Sequence, residues 1–557
     1  HMSGENWDVS WRQGRCPYTD PALLRAQLAL VRCLGRRYGE EEAIAAWDLA
    51  NEHDNYAPLP DADAAWLWTH LLTREFRLFA RQAVLLGTHV TSFTERRTFR
   101  FPDLGQLHAV LCVHPYPIYS ELCPGRPDLP PSTLFPSFCL KLARGLGGKP
   151  VLLEEFGLTT TMVGEEEAAA YYRTVLFSTL AAGARGALAW CFADFSNTGR
   201  PPYATVPYEI GFGLTCAGRP KAPGKAMAAF AALLGAFPWG QLEPAPAPAA
   251  VLLPARYYDH PEREFSPARH FALLFASYVL AKQAGLEVDF VLPGAPLEGY
   301  RLVLCPAVPR RGTLDLPHWE QLVAFVRQGG CLYLSFGGLA FPDLEEILGA
   351  RRLYADSPTR PALWERCRPG HRLVLEPRTA RVLRRGGDGL PLFLAHRYGE
   401  GTVLFATEPL ESYLADAPHL LAVNPFYPFY RYAARAAGLM PEAWGGGLPA
   451  AGEALLRGSA PRGAPPACAA PKRTASRPDG PPRPVPGEAK LFLPREAGAT
   501  AAAAAYLVVV NHHGRETAWP NPGGFPWEDL ATGETFSGPV PLAAHQGRLL
   551  RLSRSSA

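Results

Sequence analysis

Several functional classes leave marks that this sequence lacks. Its 55 basic and 52 acidic side chains nearly cancel, for a formal charge of +3 over 557 residues. There is no basic stripe of the kind that neutralises phosphates, which argues against nucleic acid as a partner. No apolar run approaches the roughly 18 residues of a membrane-crossing helix, so no membrane partner is expected. The first 30 residues also lack the charged, apolar, small-residue order of a secretory signal. Eleven cysteines are present without a single CxxC pair, several of them inside apolar runs such as Leu111-Cys112-Val113 and Trp190-Cys191-Phe192. They read as buried thiols and not as a disulfide or metal framework. The chain begins His1-Met2, which reads as a cloning scar or a cut through a longer product. Localisation therefore stays open, with the cytoplasm as default.

What is present describes a globular protein of several domains. Hydrophobic residues make up 48% and charged residues 19%, enough to build sizeable cores, while 57 prolines and 52 glycines imply many turns and some linker. A chain of this length is expected to divide into about three or four domains.

From residue 38 to about 240, short apolar runs alternate with longer segments of helical period, the pattern of βα units around a parallel sheet. Ile44–Ala50, Ala83–Gly87, Ala109–Val113, Val151–Leu153 and Ala187–Phe192 read as strands; Pro21–Arg37, Asp63–Gln82 and Glu165–Ala182 read as helices. Polar or aromatic residues lie at or just past the strand ends: Glu52, His89, His114, Glu155 and Trp190, at steps of 37, 25, 41 and 35. In a (β/α)8 TIM barrel the C-terminal strand ends form one face, and functional groups converge there from several strands. Five strands are visible and not eight, so residues 1–240 are expected to form a barrel lacking its first strands.

A second block, residues 246–440, places strands Ala249–Leu253, Glu287–Leu292, Leu302–Cys305 and Cys331–Phe336 between helices and reads as a doubly wound α/β domain. Gly329-Gly330 after the Trp319–Arg327 helix is a fitting C-cap. Residues 441–487, rich in Pro, Ala, Gly and Arg, read as a linker that buries too little to offset its ordering entropy. Residues 488–557 read as a small C-terminal β-sandwich, with strands Ala505–Asn511 and Arg548–Leu552.

Two of the barrel strands end in carboxyl groups. Ala45-Ala46-Trp47-Asp48-Leu49-Ala50-Asn51-Glu52 is a strand closing on an amide and an acid; Val151-Leu152-Leu153-Glu154-Glu155-Phe156-Gly157 places acids at another strand end. Retaining glycoside hydrolysis needs two carboxyls about 5 Å apart, one to protonate the leaving oxygen and one to attack the anomeric carbon. Glu154 rivals Glu155, but neighbouring strand residues point to opposite faces, and the aromatic-Gly context favours Glu155, leaving Glu154 structural.

On these motifs the sequence resembles the (β/α)8-barrel glycoside hydrolases that include family 5 cellulases and mannanases and family 42 β-galactosidases. Asn51-Glu52 is similar to the Asn-Glu that closes their strand four, and Glu155-Phe156-Gly157 to the nucleophile at strand seven. His114-Pro115-Tyr116-Pro117 resembles the His-x-Tyr after strand six, and Trp190 the tryptophan platform at strand eight. The resemblance implies Glu52 as acid/base, Glu155 as nucleophile, Asn51 on the sugar 2-hydroxyl, Tyr116 donating to Glu155 and His114 lining the subsite. It implies no metal and no other cofactor. It also implies a flavodoxin-like or amidotransferase-like middle domain through which family 42 relatives form a homotrimer. The family's strands one to three, with an arginine that supports the nucleophile, have no room before Asn51, and the loop Met2–Asp8 resembles the segment after strand three. A chain truncated at its N-terminus is thus expected.

Other residues invite plainer readings. His89 matches no motif and reads as structural, and Asn6 and Trp7 fit a packed loop as well as a sugar-stacking surface. His512-His513 lack the spacing of a metal site. Cys305 and Cys331 lack the Gly-x-Cys-x-Gly turn of an amidotransferase nucleophile. The expected activity is exo-acting hydrolysis of a β-galactoside or β-mannoside by double displacement, with a raised pKa at Glu52 and a lowered one at Glu155. The alternatives are an endo-acting cellulase or mannanase, and a non-catalytic carbohydrate-binding or assembly protein with a degenerate barrel.

Overall fold

The computed structural model describes residues 12–196, 199, 207–238, 242–261, 265–309, 313–357, 371–439, 487–494, 505–521 and 525–553. Asn6, Trp7, the Met2–Asp8 loop and nearly all of the 441–487 linker lie outside them.

The first helix, Pro21–Tyr38, starts where its sequence says it should. Asp20 accepts hydrogen bonds from the free amides of Ala22 and Leu23, Pro21 occupies the first turn, and Arg36 and Arg37 sit at the negative end of the helix dipole. Next come five strands: β1 (Ala46–Asn51), β2 (Ala83–Gly87), β3 (Leu111–Val113), β4 (Val151–Phe156) and β5 (Ala187–Ala189). β1 pairs parallel with β2, and β3, β4 and β5 pair parallel in that order; a parallel bridge between His89 and His114 joins the two groups. Spatial order thus equals chain order, and helices such as Ala62–Arg77, Phe135–Gly147 and Glu165–Ala181 alternate with the strands. This is the succession of a (β/α)8 barrel, and among the described residues five of its strands are present.

The middle domain is a seven-stranded sheet in the spatial order 288–291, 249–252, 302–309, 331–337, 401–406, 391–398, 381–385. The first five strands are parallel and the last two antiparallel, with helices Pro267–Gln283 and Leu316–Arg327 as crossovers. The C-terminal sheet has six strands, and one of its two edge strands is Leu242–Pro244, paired antiparallel with Leu493 and its neighbours. In the sequence that segment falls between the barrel and the middle domain and belongs visibly to neither.

The domains are welded together by side chains. Phe135 and Phe138 of the barrel pack on Phe271 and Phe275 of the middle domain, and Gly145 lies so close that a Cβ there would stand 2.6 Å from the Phe290 carbonyl. Beside this contact is a buried ionic cluster. Lys141 meets Glu287 at 2.5 Å, Lys282 meets Glu287 at 2.6 Å and Glu488 at 3.0 Å, and His512 meets Glu488 at 3.1 Å. Buried charges persist only when paired in this way. His512 therefore serves the domain junction; its ring also meets the Thr133 hydroxyl, while the His513 amide bonds Asn511.

Candidate active site

Bulges interrupt two strands near their ends. β1 loses register with β2 between Asp48 and Asn51, and β4 loses register with β5 between Leu153 and Phe156. Each bulge re-aims the side chains beyond it. After the first, Glu52 adopts a left-handed backbone (φ 45, ψ 48), held by its amide donating to the Gly87 carbonyl at 2.9 Å. A non-glycine residue in that region is strained, and such strain collects at functional sites.

After the second bulge strict alternation fails, and this corrects the expectation that only one of the two glutamates can face the site. Glu154 and Glu155 both reach the His114 ring: Glu154 Oε2 lies 3.2 Å from Nε2 and Glu155 Oε2 lies 3.7 Å from Nδ1. Nδ1 is 2.8 Å from Glu52 Oε1. His114 itself is buried just past β3, its amide donating to the Thr88 carbonyl at 2.8 Å. Tyr116 donates its hydroxyl to Glu155 Oε2 at 3.0 Å, and Asn55 donates its amide to Glu52 Oε2 at 2.9 Å. One donor atom each from Glu52, His114 and Glu155 lie within 4.8 Å of one another. Among the described residues this is the group of acid, histidine and cysteine side chains close enough to surround a cation, but both nitrogens of His114 already face carboxylates.

The remaining residues singled out by sequence border this centre. Asn51 is buried beside Glu52, its backbone in register with Gly87. Trp190 comes just after β5, with its amide donating to the Phe156 carbonyl at 2.8 Å and its ring 6.1 Å from that of Phe195. Its backbone is thus held against the strand that carries Glu155, and its ring against Phe195. His89, read as structural, belongs to the same face. It pairs with Asp54 at 3.1 Å, and the hydroxyls of Thr91 and Thr98 close the remaining side of that carboxylate. The signal for it was its position at a strand end, in line with Glu52 and His114.

Electrostatically, the ring of carboxylates around His114 decides where the protons sit. Burial favours the neutral imidazole, but hydrogen bonds to Glu154 and Glu52 and the charge of Glu155 win, and the ring is pushed up to about 10. Burial also works to raise Glu52, but the hydrogen bond and charge of His114 outweigh it and leave that carboxyl below its usual range. Glu155 is pushed up to about 7 by burial, reinforced by the charge of Glu52 and opposed by His114 and Tyr116. These directions reverse the sequence expectation for both carboxyls. The reason is that His114 hydrogen-bonds Glu52 more closely than it approaches Glu155. Among the described residues, no arginine forms an ion pair with Glu155.

No family model matches the chain, and no curated protein does. Solved structures do. An exo-β-1,4-mannosidase from Opitutaceae bacterium strain TAV5 is 23% identical, covers 79% of this chain and 80% of its own, and superposes with a TM-score of 0.62. A β-galactosidase from Bacillus circulans sp. alkalophilus is 14% identical over 97% of this chain and 83% of its own, with a TM-score of 0.62. A cold-adapted β-galactosidase from Rahnella sp. R3 is 13% identical over 98% and 86%, with a TM-score of 0.64. The two β-galactosidases match nearly the whole chain, so the likeness takes in the added domains as well as the barrel. The chain has the fold of the (β/α)8-barrel glycoside hydrolases.

Proposed function

We propose that the protein is a retaining β-glycosidase that works by double displacement, with Glu52 as acid/base and Glu155 as nucleophile. The observation that carries this reading is the approach of the two carboxyl groups, whose nearest oxygens fall within 4.8 Å across His114. Carboxyls about 5 Å apart leave no room for an intervening water and favour direct attack, whereas inverting pairs stand about 6.5–9.5 Å apart. In the first step Glu155 attacks the anomeric carbon while the glycosidic oxygen departs with a proton from Glu52. In the second, Glu52 takes a proton from water, whose oxygen displaces Glu155 and restores the free enzyme.

Near neutrality the pair titrates between one proton and none, and one proton is what the first step consumes. It must reside on Glu52 when substrate is bound. The Glu52 side chain is 21% exposed, and a sugar that covers it would raise its value by desolvation. In this reading Asn51 contacts the sugar 2-hydroxyl, Tyr116 steadies the anionic nucleophile, His114 lines the subsite and Trp190 is a platform for the ring. The substrate class we infer is a terminal β-galactoside or β-mannoside; the activities named for the similar structures support it. A homotrimer built through the middle domain belongs to the same reading, and its mass in solution would be three times 60.6 kDa.

The test is hydrolysis of a panel of nitrophenyl β-glycosides, together with a polymeric mannan to separate exo from endo action. Glu155→Gln should remove turnover by more than about a thousandfold while leaving the unfolding temperature nearly unchanged. Normal turnover in that variant would refute the assignment. A second reading, carbohydrate binding without turnover, is favoured by one observation: Glu155 stands near 7 with no guanidinium beside it among the described residues. Saturable sugar binding with no release of nitrophenol from any member of the panel would select it.

A further inference from the structure

Double displacement uses Glu52, Glu155, Tyr116 and one edge of the His114 ring, and leaves the other edge unexplained. That edge is occupied by Glu154, whose side chain is only 12% exposed and whose Oε2 lies 3.2 Å from Nε2. Space has been made for the contact. A Cβ on Gly87 would stand 3.0 Å from Glu154 Oε2 and 3.1 Å from His114 Cε1, so any larger residue on β2 would press into the pair. Gly87 also ties in β1, its carbonyl accepting from Glu52 and its amide donating to Asp48 Oδ1 at 3.0 Å.

From this we propose that Glu154 is a positioning residue: its carboxylate fixes the His114 ring from the Nε2 side and, through that ring, sets the charge shared by Glu52 and Glu155. The inference rests on the glycosidase reading for its kinetic consequence only. An imidazole with a carboxylate at each nitrogen keeps both protons, and its positive charge then faces the catalytic pair through Nδ1. The other groups that feel this pair are Asp48 on β1, the Cys112 thiol on β3, which burial and the charge of Glu154 push up, and His89 past β2. Of these, Asp48 is pushed up to about 7 by desolvation and by the charge of Glu154, so neutralising Glu154 lets it ionise and replace part of the field.

The test therefore compares Glu154→Gln, Glu154→Asp and the double change Asp48→Asn/Glu154→Gln in the full chain. Glutamine keeps an acceptor for Nε2–H without the charge, and aspartate keeps the charge. Histidine-selective 15N spectra, with His114→Asn as the assignment control, read the ring directly and require no turnover. In the parent protein the His114 signals should remain those of imidazolium through pH 8. In the double variant the titration should fall by about one to three pH units, with a smaller fall in Glu154→Gln. The limbs of the pH dependence of kcat/KM should move in the two Gln variants: to lower pH while the ring stays charged, because Glu155 loses the negative charge of Glu154, and to higher pH only where the ring itself has discharged. Glu154→Asp should return them towards the parent position. A ring that titrates in the double variant where it does in the parent would overturn the proposal. So would pH limbs that stay in place while kcat falls, since that is the behaviour of a merely structural residue. If the parent hydrolyses nothing, the glycosidase reading fails, and the ring titration alone judges the role of Glu154.

Discussion

Removing one oxygen atom, in Tyr116→Phe, probes the nucleophile assignment with little disturbance of packing. Tyr116 is buried, and its hydroxyl donates to Glu155 Oε2 at 3.0 Å. A hydrogen bond to a charged acceptor contributes about 1.5–3 kcal/mol, and the lower end suits a carboxylate that solvent still touches. That bond favours the ionised form, so its loss makes ionisation about tenfold harder, since about 1.4 kcal/mol corresponds to a factor of ten. Glu155 stands near 7 with the bond in place, so in the variant its titration should move to about 8. At pH 7 roughly half of the carboxyls are ionised in the parent and about one in ten in the variant. The expected result is a fall of about fivefold in kcat/KM at pH 7, with the limb that Glu155 sets displaced upward by about one pH unit and the ratio of variant to parent recovering most of the way to one at about pH 8.5. The assay is initial-rate hydrolysis of the best nitrophenyl glycoside from pH 5 to 9, with near-ultraviolet spectra to confirm the fold. Loss of activity by the same factor at every pH would refute the reasoning, because it would mean that Tyr116 acts on the transition state or on binding and not on the ionisation of Glu155.

Particular contacts set the outcome of two further perturbations. Gly87→Ala places a methyl group 3.0 Å from Glu154 Oε2; it should cost about 1–3 kcal/mol in stability and lower kcat, read by thermal unfolding and initial rates, and an unchanged protein on both counts would show that the pair yields freely. Glu488→Gln should destabilise the protein by about 3–5 kcal/mol at pH 7, because it leaves Lys282 and His512 short of a buried partner. Burial alone would raise Glu488, but Lys282 and His512 overcome it and hold that carboxyl at about 2. Its contribution is therefore complete above its unfolded value of about 4.3 and lost as pH falls towards 2, so denaturant unfolding of parent and variant should converge over that window. A difference that persists unchanged to pH 2 would contradict the pairing.

What the sequence disclosed of the barrel depended on contrast along the chain. β1 to β4 are short, largely apolar runs that end against polar residues, and the steps between their ends match βα units; this is enough to bring Glu52, His114 and Glu155 to one face. The segment Leu242–Pro244 offers no such contrast. It is three residues long, and its partner Leu493 lies some 250 positions away in the chain. A bulge is equally invisible beforehand: the lost register between Leu153 and Phe156 sets Glu154 and Glu155 against the same ring, and no count of alternation reveals where alternation stops. Asn55 reaches Glu52 only because a single helical turn after the strand brings the residue three positions on back over Glu52.

The protonation pattern lies furthest from the sequence. Motifs place two acids and a histidine near one another, but the side of His114 that each acid meets decides which of them keeps its charge. Glu52 takes the short contact at Nδ1, Glu154 takes Nε2, and Glu155 is left at 3.7 Å with a tyrosine hydroxyl. A difference of about 0.9 Å in approach to one ring thus separates two similar carboxyls in opposite directions. Catalysis by this pair requires that order to invert when a sugar is bound, which makes substrate an active determinant of the proton's place. A pH–rate profile for kcat, which reports the bound complex, should accordingly differ from that for kcat/KM, which reports the free protein. Coincident profiles would mean that the sugar leaves the proton where the unliganded site holds it, and that Glu155 and not Glu52 is the acid.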